Sequence, residues 1–329
     1  MRNLITDVHG VRVGHETDLR LGSGVTAILF EQPVVAGCDL RGGGPGTRET
    51  DLLDPAATLE HIDAIALSGG SAFALDASAG VMAYLAERGR GFKIGSARVP
   101  IVPGAILFDL LGPGEKAWGR YPPYRELGYQ AATAAGLNFA LGSVGAGTGA
   151  TTENLKGGVG SASAHTSAGH TVGALAAVNA AGRVTVGDGP HFWAAPFEVD
   201  AEFGGLGLPA PMPEEARVPH LKVAARASTT LAVVATDATL TKPQATRLAL
   251  MAGSGLARAI FPLYTPLDGD IVFAAATQRR PLIDPIGDLA QLGAAAAACL
   301  TRAVARAVYE ARPLKLPGAM PAWRDRFGR

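Results

Sequence analysis

Cysteine is scarce in this sequence, which has only Cys38 and Cys299 among 329 residues. Two cysteines so far apart exclude a disulfide framework and a zinc site made of cysteine ligands. An excess of charge of either sign is also absent, because 29 Lys and Arg residues face 29 Asp and Glu residues. This balance argues against a nucleic-acid partner and against a basic membrane-binding surface.

Long hydrophobic runs are missing as well. The longest, such as residues 293–300, fall well short of the roughly 18 residues that a membrane-spanning helix needs. The first eighteen residues lack the apolar stretch of a signal peptide, and so few cysteines fit a reducing compartment. We therefore expect a soluble, cytoplasmic protein with no membrane partner.

Glycine, by contrast, is abundant, with 43 residues in the chain, nearly twice the average share. No Gly-X-Y period occurs, which excludes collagen, and 48% of the residues are apolar, which argues against disorder. A core rich in glycine and alanine predicts structural layers that approach one another closely.

Short apolar runs alternate with helical patterns along the whole chain. Strands are predicted at 64–67, 172–179, 229–236 and 270–276, and helices at 72–88, 126–135, 242–260 and 286–312. Residues 183–186 are predicted as a hairpin partner of the strand at 172–179, and the Pro- and Gly-rich stretch 187–220 as a long exposed loop. This interleaving predicts a layered α/β fold, with residues 1–329 in a single domain.

One junction has the pattern of a nucleophilic site. The sequence RASTTL (226–231) leads from the long polar stretch directly into a buried strand, so the hydroxyl groups of Ser228 and Thr229 lie at a sheet end. If the chain were cut before such a residue, the residue would own both a hydroxyl and an α-amine with an ordinary pKa of about 7.7–8.0. That amine could serve as the base for its own hydroxyl. From the pattern alone, both residues also fit an ordinary strand edge.

Two carboxylates open the strand at 270–276. Asp268 and Asp270 stand two residues apart in LDGD (267–270), so in extended chain their side chains point to the same side. Like charges so close repel, so a cationic partner such as an N-terminal ammonium is plausible between them. A solvated Asp-Gly turn explains the same sequence equally well.

The Gly-rich loop 142–160 does not have the spacing of a dinucleotide or phosphate loop. Its many backbone N–H groups are nevertheless suited to hold an anion or oxyanion. Lys156 in this loop could polarise a hydroxyl, and Asn179 at a strand end could donate an amide N–H. A surface lysine and a turn-forming asparagine are the ordinary interpretations of the same two residues. The seven histidines have no metal-ligand spacing and are interpreted as surface or structural residues, and no motif indicates a metal or organic cofactor.

Nine strings occur in the order and spacing of one known family. They are ITDVHGVRVGH (5–15), RGGGPGTRE (41–49), LSGGSAFALDASAGVMAYL (67–85), VPIVPGAILFDL (99–110), GAGTGAT (145–151), LKGG (155–158), VGALAAVN (172–179), STTLAVVATDA (228–238) and DGDIVFA (268–274). Over nearly its whole length the chain thus resembles the DmpA-type self-processing aminopeptidases, which include L-aminopeptidase/D-amidase-esterases, β-peptidyl aminopeptidases and nylon-oligomer hydrolases.

The resemblance implies a four-layer αββα sandwich, similar to Ntn hydrolases but with different connectivity, and tetramers of processed protomers. It also implies one self-inflicted cut between Ser228 and Thr229, giving chains 1–228 and 229–329, with Thr229 as the nucleophile. Asp268 and Asp270 match the acidic pair that orients that nucleophile. Lys156 matches a lysine of the nylon-oligomer hydrolases, and Asn179 matches the oxyanion-hole asparagine.

Three positions depart from the family pattern. Ser228 stands where Gly or Asn usually precedes the cut, Phe108 stands in place of a tyrosine near the substrate carbonyl, and Tyr264 stands in place of a histidine. The expected activity is hydrolysis of amide bonds in small peptides, amino-acid amides or β- and ω-amino-acid oligomers. An acyltransferase of the ornithine-acetyltransferase type and an unprocessed small-molecule-binding protein are the alternatives.

Overall fold

The computed structural model describes residues 1–222, 228–266 and 268–328. Its strands are β1 (Val11–Asp18), β2 (Ser23–Leu40), β3 (Thr47–Arg48), β4 (His61–Ser68), β5 (Phe92–Ile94), β6 (Ala97–Val99), β7 (Gly104–Ile106), β8 (Gly158–His165), β9 (Thr171–Asn179), β10 (Thr229–Ala238) and β11 (Ile271–Arg280). Its α-helices are α1 (Ala77–Ala86), α2 (Tyr124–Thr133), α3 (Lys242–Ala257), α4 (Pro285–Tyr309) and α5 (Trp323–Phe327). The four predicted strands and four predicted helices are confirmed, although the first turns of the helix predicted at 72–88 are a 3₁₀-helix, Ser71–Asp76.

One mixed sheet carries most of these strands in the order β3-β7-β4-β2-β11-β10-β9-β8, with β1 paired to β2. The pairs β10–β11 and β4–β7 are parallel, and the chain between the members of each pair includes α3 and α1 respectively, whereas β9 runs antiparallel to β10. Helical crossovers and hairpins therefore occur side by side, as the sequence predicts.

Three apolar cores separate four layers. Alternate residues of each strand face opposite sides, so Leu231 and Val233 of β10 enter a central core between the two halves of the sheet, while Ala232 and Val234 face α3 and α4. In the other half, Ile65 of β4 enters the same central core, while the alternate residues of β4 and β2 pack with those of α1 and α2. The sheet thus folds on itself between two helical layers, and the four-layer αββα sandwich is confirmed.

The high glycine content is explained best where β8 meets α4. A methyl group on Gly158 or Gly160 would collide with the backbone carbonyls of Ala307 or Ala303 of that helix. Only glycine permits the strand backbone to lie so close to the helix, and the predicted close approach of layers is confirmed.

Two sequence predictions are wrong in this region of the chain. Residues 183–186 do not pair with β9, whose antiparallel partners are β8 and β10; Arg183 instead bridges to Phe261 and Thr185 to Phe192. The stretch 187–220 is an irregular loop but not a wholly exposed one. Phe192 and Phe203 are buried, because the Phe192 ring stacks on Trp323 of α5 with ring centroids 5.6 Å apart.

The long strand β2 and its partner β1 were not predicted from the sequence. β2 runs for 18 residues and pairs with β1, β4 and β11, with an irregularity in register between Leu29 and Val34. Exposed Glu31, Gln32 and Pro33 interrupt its apolar pattern in the middle. In the described ranges, no helix is long and apolar enough to cross a membrane.

Candidate active site

The head of β10 lies between two strand ends that carry polar side chains. Thr229 is the first residue of β10 and pairs with Asn179, the last residue of β9. On the other side, Ser228 forms a parallel bridge with Asp268 just before β11. The register of three neighbouring strands therefore gathers the residues that the sequence analysis selected at one sheet edge. Arg226 and Ala227 of the predicted junction, and Leu267 of LDGD, lie outside the described residues.

The peptide carbonyl between Ser228 and Thr229 receives two hydrogen bonds. The Thr229 hydroxyl donates to the Ser228 carbonyl oxygen over 2.6 Å, and the Gly269 N–H donates to the same oxygen over 2.8 Å. Both residues of this peptide are buried. The hydroxyl is thus held beside the carbonyl that precedes it, and a backbone N–H already polarises that carbonyl.

The acidic pair is buried and has no cation bonded to it among the described residues. Asp270 accepts the Thr230 N–H over 2.6 Å, while its Oδ2 has no hydrogen-bond partner within the described ranges. Asp268 accepts from the backbone N–H groups of Thr265 (2.8 Å) and Ala181 (3.3 Å). Burial, together with the neighbouring Asp268 charge, raises the pKa of Asp270 to about 8. The predicted repulsion between the two carboxylates is therefore present, whereas a solvated turn is excluded.

A glycine-rich loop holds the acidic turn in place. The N–H groups of Arg41 and Gly42 donate to the Asp270 carbonyl over 3.0 and 3.2 Å, and the Gly44 N–H donates to the Asp268 carbonyl over 2.7 Å. A methyl group on Gly42 would collide with the Asp270 backbone. In sequence, this RGGG string (41–44) contributes only to the family resemblance, and its close spacing of glycines is the signal for a backbone contact.

Asn179 makes contacts with three residues from other parts of the chain. Its Nδ2 donates to the Phe108 carbonyl over 3.0 Å, and its Oδ1 accepts the Thr151 N–H over 3.0 Å. Its Oδ1 also accepts from the Lys222 ammonium over 3.2 Å. The amide is therefore fixed at the site, and none of its hydrogen bonds in the described chain goes to the Ser228 carbonyl.

Lys156 is not a surface lysine, because its side chain is only 1% exposed. Its Nζ donates to the carbonyls of Gly147, Ala150 and Gly157 over 2.7–2.8 Å. Burial lowers the pKa of Lys156 to about 7 against the attraction of Asp109, yet three acceptors need the three N–H groups of an ammonium. Lys156 therefore ties the Gly-rich loop together, and its hydrogen bonds within the described chain do not include one to the Thr229 hydroxyl.

The backbone N–H groups of that loop are mostly used within the protein. Gly145 donates to Thr17 and Ala146 to Thr26 over 2.9 and 3.0 Å. Further along, Thr148 and Ala150 donate to loop carbonyls three residues back. The prediction of a loop rich in free donors for an anion is accordingly wrong for these four residues.

A cavity of about 380 Å³ is lined in part by Phe108, Thr151 and Lys222, the three residues that hydrogen-bond to the Asn179 side chain. Its walls are mainly apolar, and its polar contributors include Thr151, Lys222 and Asp109; the apolar walls are Phe108, Leu111, Pro113, Pro317 and Met320. Phe108 thus lies at the site but brings no hydroxyl. Tyr264 instead donates its hydroxyl to the Gly253 carbonyl over 3.1 Å.

Asp109 and Lys222 are two polar residues of the site that the sequence analysis missed. Asp109 accepts from the Ser23 hydroxyl over 2.7 Å and from the Gly70 N–H over 2.8 Å, and burial raises its pKa. Neither residue stands in a recognisable spacing, and only the fold brings them to the cavity. Across the described chain, no group of three or more His, Cys, Asp or Glu side chains is placed to hold a metal ion.

Comparisons with known proteins identify the family and the fold of the chain. The model of peptidase family S58 matches residues 3–319. An uncharacterized aminopeptidase of Mycobacterium tuberculosis is 44% identical over 349 residues, covering 99% of this chain and 98% of the relative. A β-aminopeptidase from Burkholderia sp. has a similar structure, with a TM-score of 0.74 and 24% identity over 99% of this chain and 92% of the other.

A second solved structure is the L-aminopeptidase D-Ala-esterase/amidase of Ochrobactrum anthropi, described as a prototype of the serine aminopeptidases and a variant of the Ntn hydrolase fold. It has a TM-score of 0.70 and 22% identity, covering 95% of this chain and 87% of the other. The predicted likeness in fold to the Ntn hydrolases is thereby confirmed. The chain belongs to peptidase family S58 and is a hydrolase of peptide bonds.

Proposed function

We propose that this member of peptidase family S58 cuts itself once, between Ser228 and Thr229, and then acts as an aminopeptidase or amidase with Thr229 as its nucleophile. The observation that carries the proposal is the pair of hydrogen bonds on the Ser228 carbonyl, from the Thr229 hydroxyl at 2.6 Å and from the Gly269 N–H at 2.8 Å. A nucleophile and an oxyanion donor thus meet at one backbone carbonyl.

In the self-cleavage step, the Thr229 oxygen attacks the Ser228 carbonyl carbon and the Gly269 N–H stabilises the negative charge on the carbonyl oxygen. The bond from that carbon to the Thr229 nitrogen breaks, the nitrogen takes up the proton that the hydroxyl loses, and an ester joins the two residues. Water then hydrolyses the ester. The products are chain 1–228, ending in a carboxylate, and chain 229–329, beginning with a free amine and hydroxyl.

In the mature enzyme, the Thr229 hydroxyl attacks the carbonyl carbon of a substrate amide. The Thr229 α-amine accepts the hydroxyl proton and passes it to the leaving amine, so that an acyl-enzyme remains. Water hydrolyses this ester and regenerates the hydroxyl. Asn179 donates an amide N–H to the oxyanion of this second reaction, and Asp268 and Asp270 orient the α-nitrogen and the hydroxyl of Thr229. Lys156 supports the loop behind Asn179.

The proposed substrates are small peptides, amino-acid amides and β- or ω-amino-acid oligomers. Two observations support compact substrates: the cavity next to Asn179 is about 380 Å³, and mainly apolar side chains line it. The names of the mycobacterial and Burkholderia relatives support an aminopeptidase over an acyltransferase. Assembly into homotetramers of cut protomers in the cytoplasm is part of the same proposal.

Intact-mass spectrometry of the purified protein tests the proposal. We expect two polypeptides whose masses sum to that of the 33.6 kDa chain plus one water, and amidase activity on a panel of amino-acid p-nitroanilides. Thr229→Ala should give one uncut, inactive chain, whereas Thr230→Val, which removes the neighbouring hydroxyl, should still be cut. A folded, active wild-type protein that remains one chain would refute the proposal.

A further inference from the structure

Lys222 places an ammonium beside Asn179 of the proposed site, and it lies six residues before Ser228, the last residue before the proposed cut. Its Nζ donates to the Thr151 carbonyl over 2.8 Å and to Asn179 Oδ1 over 3.2 Å. Its backbone N–H donates to the Ala181 carbonyl over 2.9 Å. Side chain and backbone are thus both fixed against the site.

The surroundings of this ammonium suit a primary amine in particular. Two oxygen acceptors lie within hydrogen-bond distance of Nζ, and an acceptor of this kind favours an N–H donor over a positive charge alone. Asp268, whose carboxylate attracts Lys222, accepts the N–H of the same Ala181 to which the Lys222 backbone is bonded. Burial opposes this attraction and lowers the pKa of Lys222 to about 7. The position therefore combines a charge that attracts cations with acceptors that orient N–H groups.

The alkyl part of the ligand is also provided for. Lys222 is itself a wall of the 380 Å³ cavity, whose other walls include Phe108, Leu111 and Met320. Such a cavity accommodates a short hydrocarbon chain, while the acceptors at its end take up the ammonium.

We propose that the Thr151 carbonyl and Asn179 Oδ1 form a binding position for a primary alkylammonium group, and that Lys222 fills this position in the uncut chain as an internal occupant. The inference rests on the proposed function, since it places the ammonium beside the oxyanion residue of the proposed site. Once the chain ends at Ser228, six residues beyond Lys222, the segment that carries Lys222 is no longer joined to β10. A substrate amine can then take the place of the lysine ammonium.

Chemical rescue in the uncut protein tests this assignment. Thr229→Ala keeps the chain whole, and adding Lys222→Ala empties the position. n-Butylammonium carries the same four-carbon chain and ammonium as a lysine side chain, so it should raise the melting temperature of Thr229→Ala/Lys222→Ala. Its affinity for this double variant should be at least tenfold higher than its affinity for Thr229→Ala. Thr229→Ala/Lys93→Ala, which removes an exposed lysine, is the matched control and should behave like Thr229→Ala.

Two further probes separate the chemistry of the position from charge and from volume. n-Butyltrimethylammonium lacks N–H donors and n-butanol lacks the charge, so neither should rescue the double variant. Equal binding of n-butylammonium to all three proteins, or equal rescue by all three probes, would overturn the proposal.

A second measurement does not require Lys222 to be replaced. In folded Thr229→Ala, acetylation followed by peptide mass mapping should label Lys222 at least tenfold more slowly than exposed Lys93, and denaturation should abolish the difference. Equal labelling rates in the folded chain would overturn the proposed occupancy. All these experiments use an uncut variant. A negative result in them would therefore not affect the intact-mass measurement on the wild-type protein, which tests self-cleavage independently.

Discussion

Replacing Lys156 by methionine removes one ammonium that three backbone carbonyls share. Methionine keeps most of the side-chain volume, so the change leaves the carbonyls of Gly147, Ala150 and Gly157 without the donor that they have at 2.7–2.8 Å. A buried carbonyl left without a partner costs about 1–3 kcal/mol, and part of the total is offset because the buried charge is lost as well. Three such carbonyls, less that offset, give an expected fall in the free energy of unfolding of about 3–5 kcal/mol.

The chain contains a matched control for this experiment. Lys242, at the start of α3, is also buried and also donates to three backbone carbonyls, those of Leu52, Ala57 and Leu59, over 2.8–3.0 Å. Lys242→Met therefore removes the same number of contacts from a different part of the molecule. Urea denaturation of both variants in the uncut Thr229→Ala background should give similar losses of stability.

Activity should then separate the two lysines. The loop that Lys156 ties together continues into Thr151, whose N–H and carbonyl contact Asn179 and Lys222. With Thr229 present, Lys156→Met should lower kcat for amide hydrolysis strongly at a temperature where the variant is folded, whereas Lys242→Met should leave kcat near the wild-type value. Equal kcat values for the two variants, or an unfolding free energy unchanged by Lys156→Met, would refute the argument that this lysine positions the site.

Two other predictions follow from the site. In the uncut Thr229→Ala protein, the pKa of Asp270 is raised from 3.8 to about 8, so the folded state binds this proton more tightly than the unfolded state does, and the free energy of unfolding should fall as pH rises through this window. Urea denaturation at pH 5 and pH 7 should show a much smaller fall for Thr229→Ala/Asp270→Asn. Parallel pH dependences in the two proteins would contradict the prediction. Asn179→Ala should lower kcat for substrate hydrolysis by about 10²–10³-fold but slow self-cleavage far less, because the Ser228 carbonyl accepts hydrogen bonds from Gly269 and from Thr229 itself. Time-resolved gels measure the rate of self-cleavage and p-nitroanilide assays measure kcat. Asn138→Ala, at an exposed position, is the control.

Much of this site could be predicted because neighbouring strands of one sheet end side by side, so the polar residues at their ends lie close together. Thr229 opens a strongly apolar strand and Asp270 immediately precedes another, so their placement at a sheet edge follows from local sequence. Asn179 ends a third strand, and its register opposite Thr229 completes the arrangement. The strand order could not be predicted from periodicity. β2 lies between β4 and β11 in the sheet, and its apolar pattern is interrupted.

Lysine shows the limit of such prediction more sharply. Lys156 looks like a surface residue in sequence because glycines follow it, and its burial depends on three carbonyls that only the folded loop brings together. Lys222 lies in a polar, proline-rich neighbourhood without periodicity, and its partner Asn179 is 43 residues away. Long-range contacts of single polar side chains leave no spacing in the sequence from which to infer them.

The acidic pair gives a physical reason for the order of the proposed reactions. Before the cut, Asp268 and Asp270 are buried together and no cation is bonded to Asp270 within the described chain, so the pKa of Asp270 is high. Cleavage turns the Thr229 nitrogen, one residue from the N–H that Asp270 accepts, from a neutral amide into an ammonium. An opposite charge so near lowers the pKa of a carboxyl group, so the same event that frees the nucleophile would also ionise the group that orients it. The uncut chain would then be inactive toward substrates for an electrostatic reason as well as a covalent one, and self-cleavage would have to proceed while Asp270 is still protonated.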